Sequence, residues 1–220
     1  MQWTTFDVIG KLAFGQDFGC LRTQETHPWI ALIFGNLVSI VSIANIRRLG
    51  LEWVLPYITP PKAHEARTYN HNFTNDMIKT RIEREGEQHD FWDNVLKHEE
   101  KSTGMSHDEM VSNASNLVLA GSETTATLLS GAVWQLLQNP EALKKVTKEI
   151  RDAYKSDQEI DLFSTSQLKY TLAVLEETMR IYPPVPTQAN RQVPPGGDTV
   201  LGHFLPGGTT ISLSHKINVF

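Results

Sequence analysis

One long apolar stretch constrains the fold of this 220-residue chain more than any other feature. Between residues 111 and 138 only Glu123 carries a formal charge, within the run Ala120-Gly121-Ser122-Glu123-Thr124-Thr125. A carboxylate inside an apolar helix costs free energy unless it is paired or hydrogen-bonded. We therefore expect a functional reason for Glu123. The structural alternative is a kinked core helix in which an unidentified base pairs with this carboxylate.

Both ends of this stretch carry helix signals. Ser106 followed three residues later by Glu109 is a capping-box pattern, which predicts that a helix begins here. Asn139-Pro140 predicts its end, because proline disfavours the helical conformation of the residue before it. The resulting helix, residues 107–138, is about 48 Å long at 1.5 Å per residue.

The composition argues against several classes of protein. A net charge of −5 gives no basic stripe for a nucleic-acid backbone. The single cysteine, Cys20, excludes an internal disulfide and a multi-cysteine zinc site, and we interpret it as a small buried residue. The eight histidines show no i, i+4 pairing, so no metal site is predicted. The first residues show no signal-peptide pattern.

The range 29–46 has 18 uncharged residues and is followed by two arginines, which meets the length of a membrane span. Polar residues nevertheless recur every three positions along it: Asn36, Ser39, Ser42 and Asn45. An amphipathic helix, packed on protein or in peripheral contact with a membrane surface, is therefore favoured over a span.

The remaining patterns predict a mainly α fold with a few short β-strands near the C-terminus. Helices are expected at residues 3–12, 62–85 and 91–96, from Pro140 with Asn139 as its N-cap, and from about 167 to 182. The last of these carries a predicted core stripe of Leu168, Leu172, Leu175 and Met179. Short strands are predicted at 199–201, 203–205 and 209–213, between Gly- and Pro-rich turns.

Several short motifs follow one another in a distinctive order. Glu177 and Arg180 lie three residues apart on the last helix, where a surface ion pair is the simplest interpretation. The ordered set is Ala120 to Thr125, Glu177-x-x-Arg180, Tyr182 to Pro186, and then Arg191 with a Pro-Gly-Gly turn. In this order the motifs resemble the cytochrome P-450 superfamily of haem-thiolate monooxygenases. The sequence from residue 1 to about 214 is most similar to fungal microsomal members.

The resemblance implies roles for the long helix. It crosses one face of the haem in this family, and the small residues Ala120 and Gly121 let its backbone approach a flat ring. Thr124 can turn its hydroxyl toward the carbonyl of Ala120 and loosen the helix, which makes an opening for water or oxygen. Glu123 and Thr124 then deliver protons during oxygen activation.

The resemblance also implies roles nearer the C-terminus. Glu177 and Arg180 are structural in the family, where they join a second arginine. Arg191 stands where relatives direct a cation toward a haem propionate; the alternative is an ordinary surface arginine. Val185 and Thr187, with the 29–46 region, correspond to parts that line the substrate pocket or its entrance. Apolar residues there suggest a lipophilic substrate, and core packing explains them about as well.

The chain departs from the family in what it omits. The loop Phe-x-x-Gly-x-Arg-x-Cys-x-Gly, which supplies the haem thiolate in relatives, belongs after Ser214, and residues 215–220 no longer resemble the family. The second arginine, a membrane anchor and the early helices are also missing. We therefore expect residues 1–220 to form a partial cytochrome P-450 domain, cytosolic in itself, whereas complete relatives lie on the cytosolic face of the endoplasmic reticulum.

Three hypotheses follow. In the first, the chain is a piece of a monooxygenase that inserts one oxygen atom from O2 into a lipophilic small molecule, in fungal secondary metabolism, with haem and an NADPH-dependent reductase. In the second, it is a truncated, catalytically inactive helical protein that binds a lipophilic ligand or a partner. In the third, it is a fragment that never folds stably. Because axial cysteine ligation equips these enzymes for oxygen–oxygen bond cleavage, we expect the chain alone to be inactive.

Overall fold

The structure is a computed structural model that describes residues 1–35, 37–59, 61–84, 86–97, 104–186 and 190–212, without the side chains of residues 33, 34, 37–40, 61 and 62. Its helices are α1 Gln2–Phe14, α2 Cys20–Thr23, α3 Pro28–Gly35, α4 Leu37–Arg48, α5 Leu55–Ile58, α6 Pro61–Ile82, α7 Trp92–Leu96, α8 His107–Gln138, α9 Pro140–Ala153, α10 Leu162–Thr165 and α11 Lys169–Ile181. Its strands are β1 Arg191–Gln192, β2 Asp198–Val200, β3 His203–Leu205 and β4 Thr210–Ile211. Two short 3-10 turns lie at Glu52–Val54 and Asp157–Glu159. The predicted mainly α fold with short strands near the C-terminus is confirmed.

The long helix α8 has the bounds that the sequence predicts. At its start Glu109 accepts hydrogen bonds from Ser106 N at 2.8 Å and Ser106 Oγ at 2.7 Å, and Glu109 N donates back to Ser106 Oγ at 3.4 Å. These bonds satisfy backbone donors that have no partner inside the helix. The capping box is therefore confirmed.

Asn139 plays a different part from the one predicted. Its side chain makes no capping bond to α9; instead its Nδ2 donates to the carbonyl of Gln135 at 2.8 Å. The last carbonyls of a helix lack intrahelical donors, and the amide of Asn139 supplies one. Asn139 and Pro140 therefore stand at the predicted N-cap and first-turn positions of α9, and only the side-chain capping bond is absent.

The described residues form two compact units, Met1–Ala126 and Thr127–Phe220, and their boundary falls within α8. The core of the first unit is apolar and comes mainly from α1, α3, α6, α7 and α8; its largest fully buried apolar side chains are Trp29, Phe6, Phe14, Ile30, Ile78 and Met110. The indole Nε1 of Trp29 donates to Asn70 Oδ1 at 2.6 Å, and Asn70 Nδ2 donates to Ser115 Oγ at 3.2 Å. This chain of bonds links α3, α6 and α8.

A buried ionic cluster, which the sequence did not indicate, fastens the segment before α7 to the rest of the first unit. The Arg81 guanidinium binds both carboxylate oxygens of Asp90 and also donates to Asp93 Oδ1 at 2.6 Å. The side chain of Arg81 is 2% exposed and that of Asp90 0%. The indole N–H of Trp92 donates to the carbonyl of Ala13 in α1. The charges are therefore removed from water and compensated by one another.

The 29–46 region contains two helical stretches, α3 and α4, with residue 36 between them outside the described residues. Trp29 and Ile30 are fully buried in the core of the first unit. Of the helices in the described ranges, none has the length and apolar character needed to cross a membrane.

In the second unit α11 packs on α9 and on the end of α8. A side chain on Gly131 of α8 would meet Tyr182 at 2.8 Å and Thr178 at 3.4 Å, so these elements approach closely only because residue 131 is glycine. Thr178 is 2% exposed, whereas Leu172 and Met179 are 40% and 45% exposed. The predicted core stripe is therefore wrong at Leu172 and Met179. Helical spacing shows which residues share a face of the helix, but it does not show which face is buried.

The strands form two antiparallel pairs. β2 and β3 make a hairpin in which Asp198 pairs with Leu205 and Val200 with His203. The two residues of its turn, Leu201 and Gly202, have φ of 51° and 81°, the left-handed backbone that a tight hairpin turn requires. β1 pairs with β4, and β1 is a strand that the sequence patterns did not predict.

Candidate functional site

Helix α8 has one buried face and one open face. Its buried side chains recur every four residues, and they are Ala114, Val118, Ser122 and Ala126, with exposed fractions of 0%, 0%, 0% and 4%. On the opposite face Leu117 and Ala120 are exposed and Thr124 is half-buried. The candidate site residues Ala120 and Thr124 therefore share the open face, one turn apart.

The hydroxyl groups of the central run turn back onto the helix. Thr124 Oγ1 donates to the carbonyl of Ala120 at 2.6 Å, as the sequence predicted. Thr125 Oγ1 makes the equivalent bond to Gly121 at 3.0 Å. The α-helical course of α8 continues unbroken through these residues, so the bond does not open the helix there. Each hydroxyl oxygen keeps its lone pairs for a further donor.

Glu123 is more open than its apolar surroundings in the sequence suggested. Its side chain is half-buried, and Oε2 accepts a long hydrogen bond, 3.4 Å, from Nε2 of Gln2 at the start of α1. The partner is an amide, not the base that a buried carboxylate would need. The expectation of a fully buried carboxylate is therefore wrong, because residue 123 lies beside the exposed end of α1.

Gly121 has a packing role that the sequence did not show. A side chain at this position would lie 2.7 Å from Cδ1 and 3.1 Å from Cγ1 of Ile9. The absence of a Cβ thus lets α1 pack closely on α8. This helix packing explains why residue 121 is glycine without any contact to a cofactor. The role of Gly121 against a cofactor remains a prediction.

The predicted pair on α11 forms. Arg180 Nε donates to Glu177 Oε2 at 2.7 Å and Nη2 donates to Oε1 at 2.6 Å, a two-pronged guanidinium–carboxylate contact. These bonds hold the pKa of Glu177 below its usual value. The two side chains are 52% and 45% exposed, so the pair by itself adds little to stability. Its structural role around a cofactor stays a prediction.

The other predicted site residues lie in the second unit. Arg191 is exposed on β1, where its Nη1 donates to the carbonyl of Asn190 at 3.0 Å. Val185 is 52% exposed. Thr187 lies outside the described residues.

Cys20 does not fit the part of a metal ligand. It is 1% exposed within the core of the first unit, and burial raises the pKa of its thiol. Within the described ranges no group of three or more histidine, cysteine, aspartate or glutamate side chains could hold a metal ion. The open face of α8 presents only a methyl group at Ala120, between the exposed Leu117 and the half-buried Thr124.

Comparisons with known proteins show the family of this chain. The cytochrome P450 family model matches residues 1–217. The chain is 48% identical to averantin hydroxylase of Dothistroma septosporum over 96% of its own length and 40% of that protein. It is 46% identical to averantin hydroxylase of Aspergillus parasiticus, over 98% of the chain and 44% of that protein, and 42% identical to versicolorin B desaturase of Dothistroma septosporum, over 96% and 42%.

Solved structures show the same fold. The crystal structure of a cytochrome P450 matches with a TM-score of 0.75 and 18% identity, over 97% of this chain and 49% of the other. A cytochrome P450 heme domain matches with a TM-score of 0.71 and 18% identity, over 97% and 46%. The chain thus spans less than half the length of the curated relatives and of the solved chains that it matches.

Proposed function

Because the chain belongs to the cytochrome P450 family, we propose that it forms the oxygen-side wall of a monooxygenase that inserts one oxygen atom of O2 into a lipophilic small molecule. The observation that carries this proposal is the open face of α8, on which Ala120 and Thr124 lie one turn apart. The balanced reaction takes a substrate C–H bond, O2, two electrons and two protons to an alcohol and water. We propose an NADPH-dependent reductase as the source of the electrons.

Each unit, taken by itself, has one described residue with the chemistry to contact a haem. Ala120 presents a methyl group on an exposed helix face, so a flat ring can lie against it without a competing side chain. Arg191 is exposed, and a guanidinium suits a propionate carboxylate geometrically. When bound, haem supplies the iron at which oxygen is activated.

The acid and the alcohol of α8 are placed to handle protons. The side chain of Glu123 is half-buried, so water reaches it. Thr124 donates its own hydroxyl hydrogen to Ala120 and keeps its oxygen available to accept a hydrogen bond from a donor on the open face. We propose general acid catalysis by positioned groups: Glu123 is the source of protons, and Thr124, about 100° away around the helix, anchors the donor that carries the proton on the open face.

The class of substrate is proposed from the surface and from the relatives. Leu117 is exposed on the same face of α8 as Ala120, and Val185 is exposed in the second unit, so each unit presents an apolar side chain to a ligand. The relatives bear the names averantin hydroxylase and versicolorin B desaturase and come from fungi. We therefore propose a lipophilic substrate of fungal secondary metabolism.

A chimera tests this function. Residues 1–212 replace the matching segment of the averantin hydroxylase of Dothistroma septosporum, to which the chain is 48% identical. We expect the reduced chimera with carbon monoxide to show the absorption band of thiolate-ligated haem and to hydroxylate a substrate. The 220-residue chain alone serves as the control and should show no such band, because its single cysteine is buried. A chimera that is folded by circular dichroism but binds no haem would contradict the proposal.

We also propose that part of the 29–46 region and the residues after it touch a membrane surface, as expected for a protein at the endoplasmic reticulum. Trp29 and Ile30 belong to the core, so the contact cannot begin there. From residue 41 onward large apolar side chains are exposed, and they are Val41, Leu49, Leu51, Trp53, Tyr57 and Ile58. Aromatic side chains with exposed rings are favoured at the membrane–water interface.

Vesicle binding tests this contact. Trp53→Ser should weaken co-sedimentation of the chain with phospholipid vesicles, because the indole is 69% exposed within that segment. Trp134→Ser is the matched control, since Trp134 is 59% exposed on α8 in the second unit. Equal binding by wild type and Trp53→Ser, or equal losses in both variants, would overturn the proposed membrane contact.

A further inference from the structure

The start of α11 is held by a side chain from another helix. Glu149, on α9, accepts hydrogen bonds from Tyr170 N at 2.9 Å through Oε1 and from Thr171 N at 2.8 Å through Oε2. Oε2 also accepts from Thr171 Oγ1 at 2.7 Å. Tyr170 and Thr171 are the second and third residues of α11, where backbone N–H groups have no partner inside the helix.

The local sequence does not offer an alternative cap. The residue in the N-cap position is Leu168, which has no side-chain oxygen and makes no capping bond. Residues that cap a helix from this position are serine, threonine, aspartate and asparagine. The acceptor for the first turn of α11 therefore comes from Glu149, 21 residues before Tyr170.

We propose that Glu149 is the N-cap of α11, supplied by α9, and that it is a positioning residue for the Glu177–Arg180 pair. α11 is a single 13-residue helix, so fixing its first turn also fixes the location of residues one to three turns later. At the far end Thr178 packs against Gly131, which gives the helix a second point of attachment. The proposal concerns the second unit alone and stands whether or not the protein binds haem.

The negative charge of Glu149 strengthens the attachment. The hydrogen bond from Tyr170 N, followed by that from the Thr171 hydroxyl, lowers the pKa of Glu149, while burial acts in the opposite direction. The positive end of the helix dipole favours an anion at this place. The charged and titratable groups closest along the two helices are Lys145, Lys148 and Asp152 on α9 and Lys169 and Tyr170 on α11. Lys148 Nζ forms an ion pair with Asp152 Oδ2 at 2.5 Å, and Lys145 Nζ lies 5.7 Å from the Tyr170 ring centre.

The direction of the pH dependence follows from this shift. A carboxyl group whose pKa is lower in the folded protein stabilises it above the pKa of the unfolded chain, about 4.3 for glutamate. This stabilisation is lost as the pH falls through the lower, folded pKa. Protonation of Glu149 should therefore release the first turn of α11 in acid.

Amide hydrogen exchange in the 220-residue chain tests the proposal. Glu149→Ala should speed exchange at the amides of Tyr170 and Thr171 by about tenfold or more, because each loses a hydrogen bond to a charged acceptor. Glu149→Gln keeps one acceptor oxygen and should have a smaller effect. The control is Glu176→Gln, which removes an exposed carboxylate from α11 itself and should leave both amides unchanged.

Thermal unfolding supplies the pH profile. We expect the melting temperature of wild type to exceed that of Glu149→Gln at pH 7, and the difference to diminish as the pH falls below about 4.3 and the wild-type carboxylate takes up a proton. Unchanged exchange at both amides in Glu149→Ala would overturn the proposal, as would a melting difference independent of pH. If Glu149→Ala does not fold, the carboxyl carbon of Glu149 in the wild type decides by NMR: titration at an ordinary glutamate pKa contradicts the cap.

Discussion

Replacing Thr124 by alanine in the haem-loaded chimera is expected to uncouple oxygen consumption from product formation. The hydroxyl of Thr124 lies on the open face of α8 and is oriented by its 2.6 Å bond to Ala120. Alanine removes the oxygen that accepts a hydrogen bond from the donor that carries the proton. Since a positioned acid contributes at least about 10²-fold in rate, product formation should fall by about that factor while O2 is still consumed. Oxygen uptake and product are measured together under turnover.

The neighbouring threonine gives a matched control. Thr125 makes the same kind of bond, to Gly121 at 3.0 Å, but points about 100° away around the helix. Thr125→Ala therefore removes an equal hydroxyl from the same helix and should leave coupling intact. Full coupling in Thr124→Ala, or an equal loss in both variants, would show that Thr124 has no special part in proton delivery.

Replacing Arg81 by methionine should cause the largest loss of stability. The change leaves the Asp90 carboxylate, which is 0% exposed, without its guanidinium partner. Removing one member of a buried ion pair costs about 3–5 kcal/mol, because the remaining charge stays out of water. For a chain of this size the melting temperature should fall by at least about 6 °C. Thermal denaturation followed by circular dichroism measures it.

Two further variants identify the cause. Lys97→Met breaks an exposed ion pair with Glu87 and should change the melting temperature little. The double variant Arg81→Met with Asp90→Leu removes both charges and should regain part of the loss. The recovery is incomplete because Asp90 Oδ1 also accepts from the backbone N–H groups of Trp92 and Asp93. A single variant as stable as the wild type would show that the pair is not needed.

The features predicted well are those set by residues close together in the chain. The capping box of Ser106 and Glu109 gave the start of α8, and the order of its apolar residues gave its extent. The side-chain bond from Thr124 to Ala120 spans a single helical turn and was also foreseen. Local hydrogen bonding and helix periodicity carry this information, so it can be obtained without the tertiary structure.

The features that the sequence did not predict depend on contacts between elements that are far apart in the chain. Glu123 stands in an apolar stretch, yet the end of α1 leaves it half-exposed, and nothing near it in the chain indicates that position. Glu149 caps a helix that begins 20 residues later, and a glutamate at the surface of an amphipathic helix has no distinguishing pattern. One partner of Arg81, Asp90, lies in a loop with no regular periodicity, and the other, Asp93, lies in the short helix α7. Predicting these contacts requires the packing of the helices.

A crystal structure of the haem-loaded chimera tests the central claim most directly. The open face of α8 predicts that Ala120 and Thr124 face the macrocycle and that Val118 and Ser122 remain buried against the protein core. A macrocycle bound away from α8, or an Ala120 covered by protein side chains, would contradict the assignment of this helix to the oxygen side of the site.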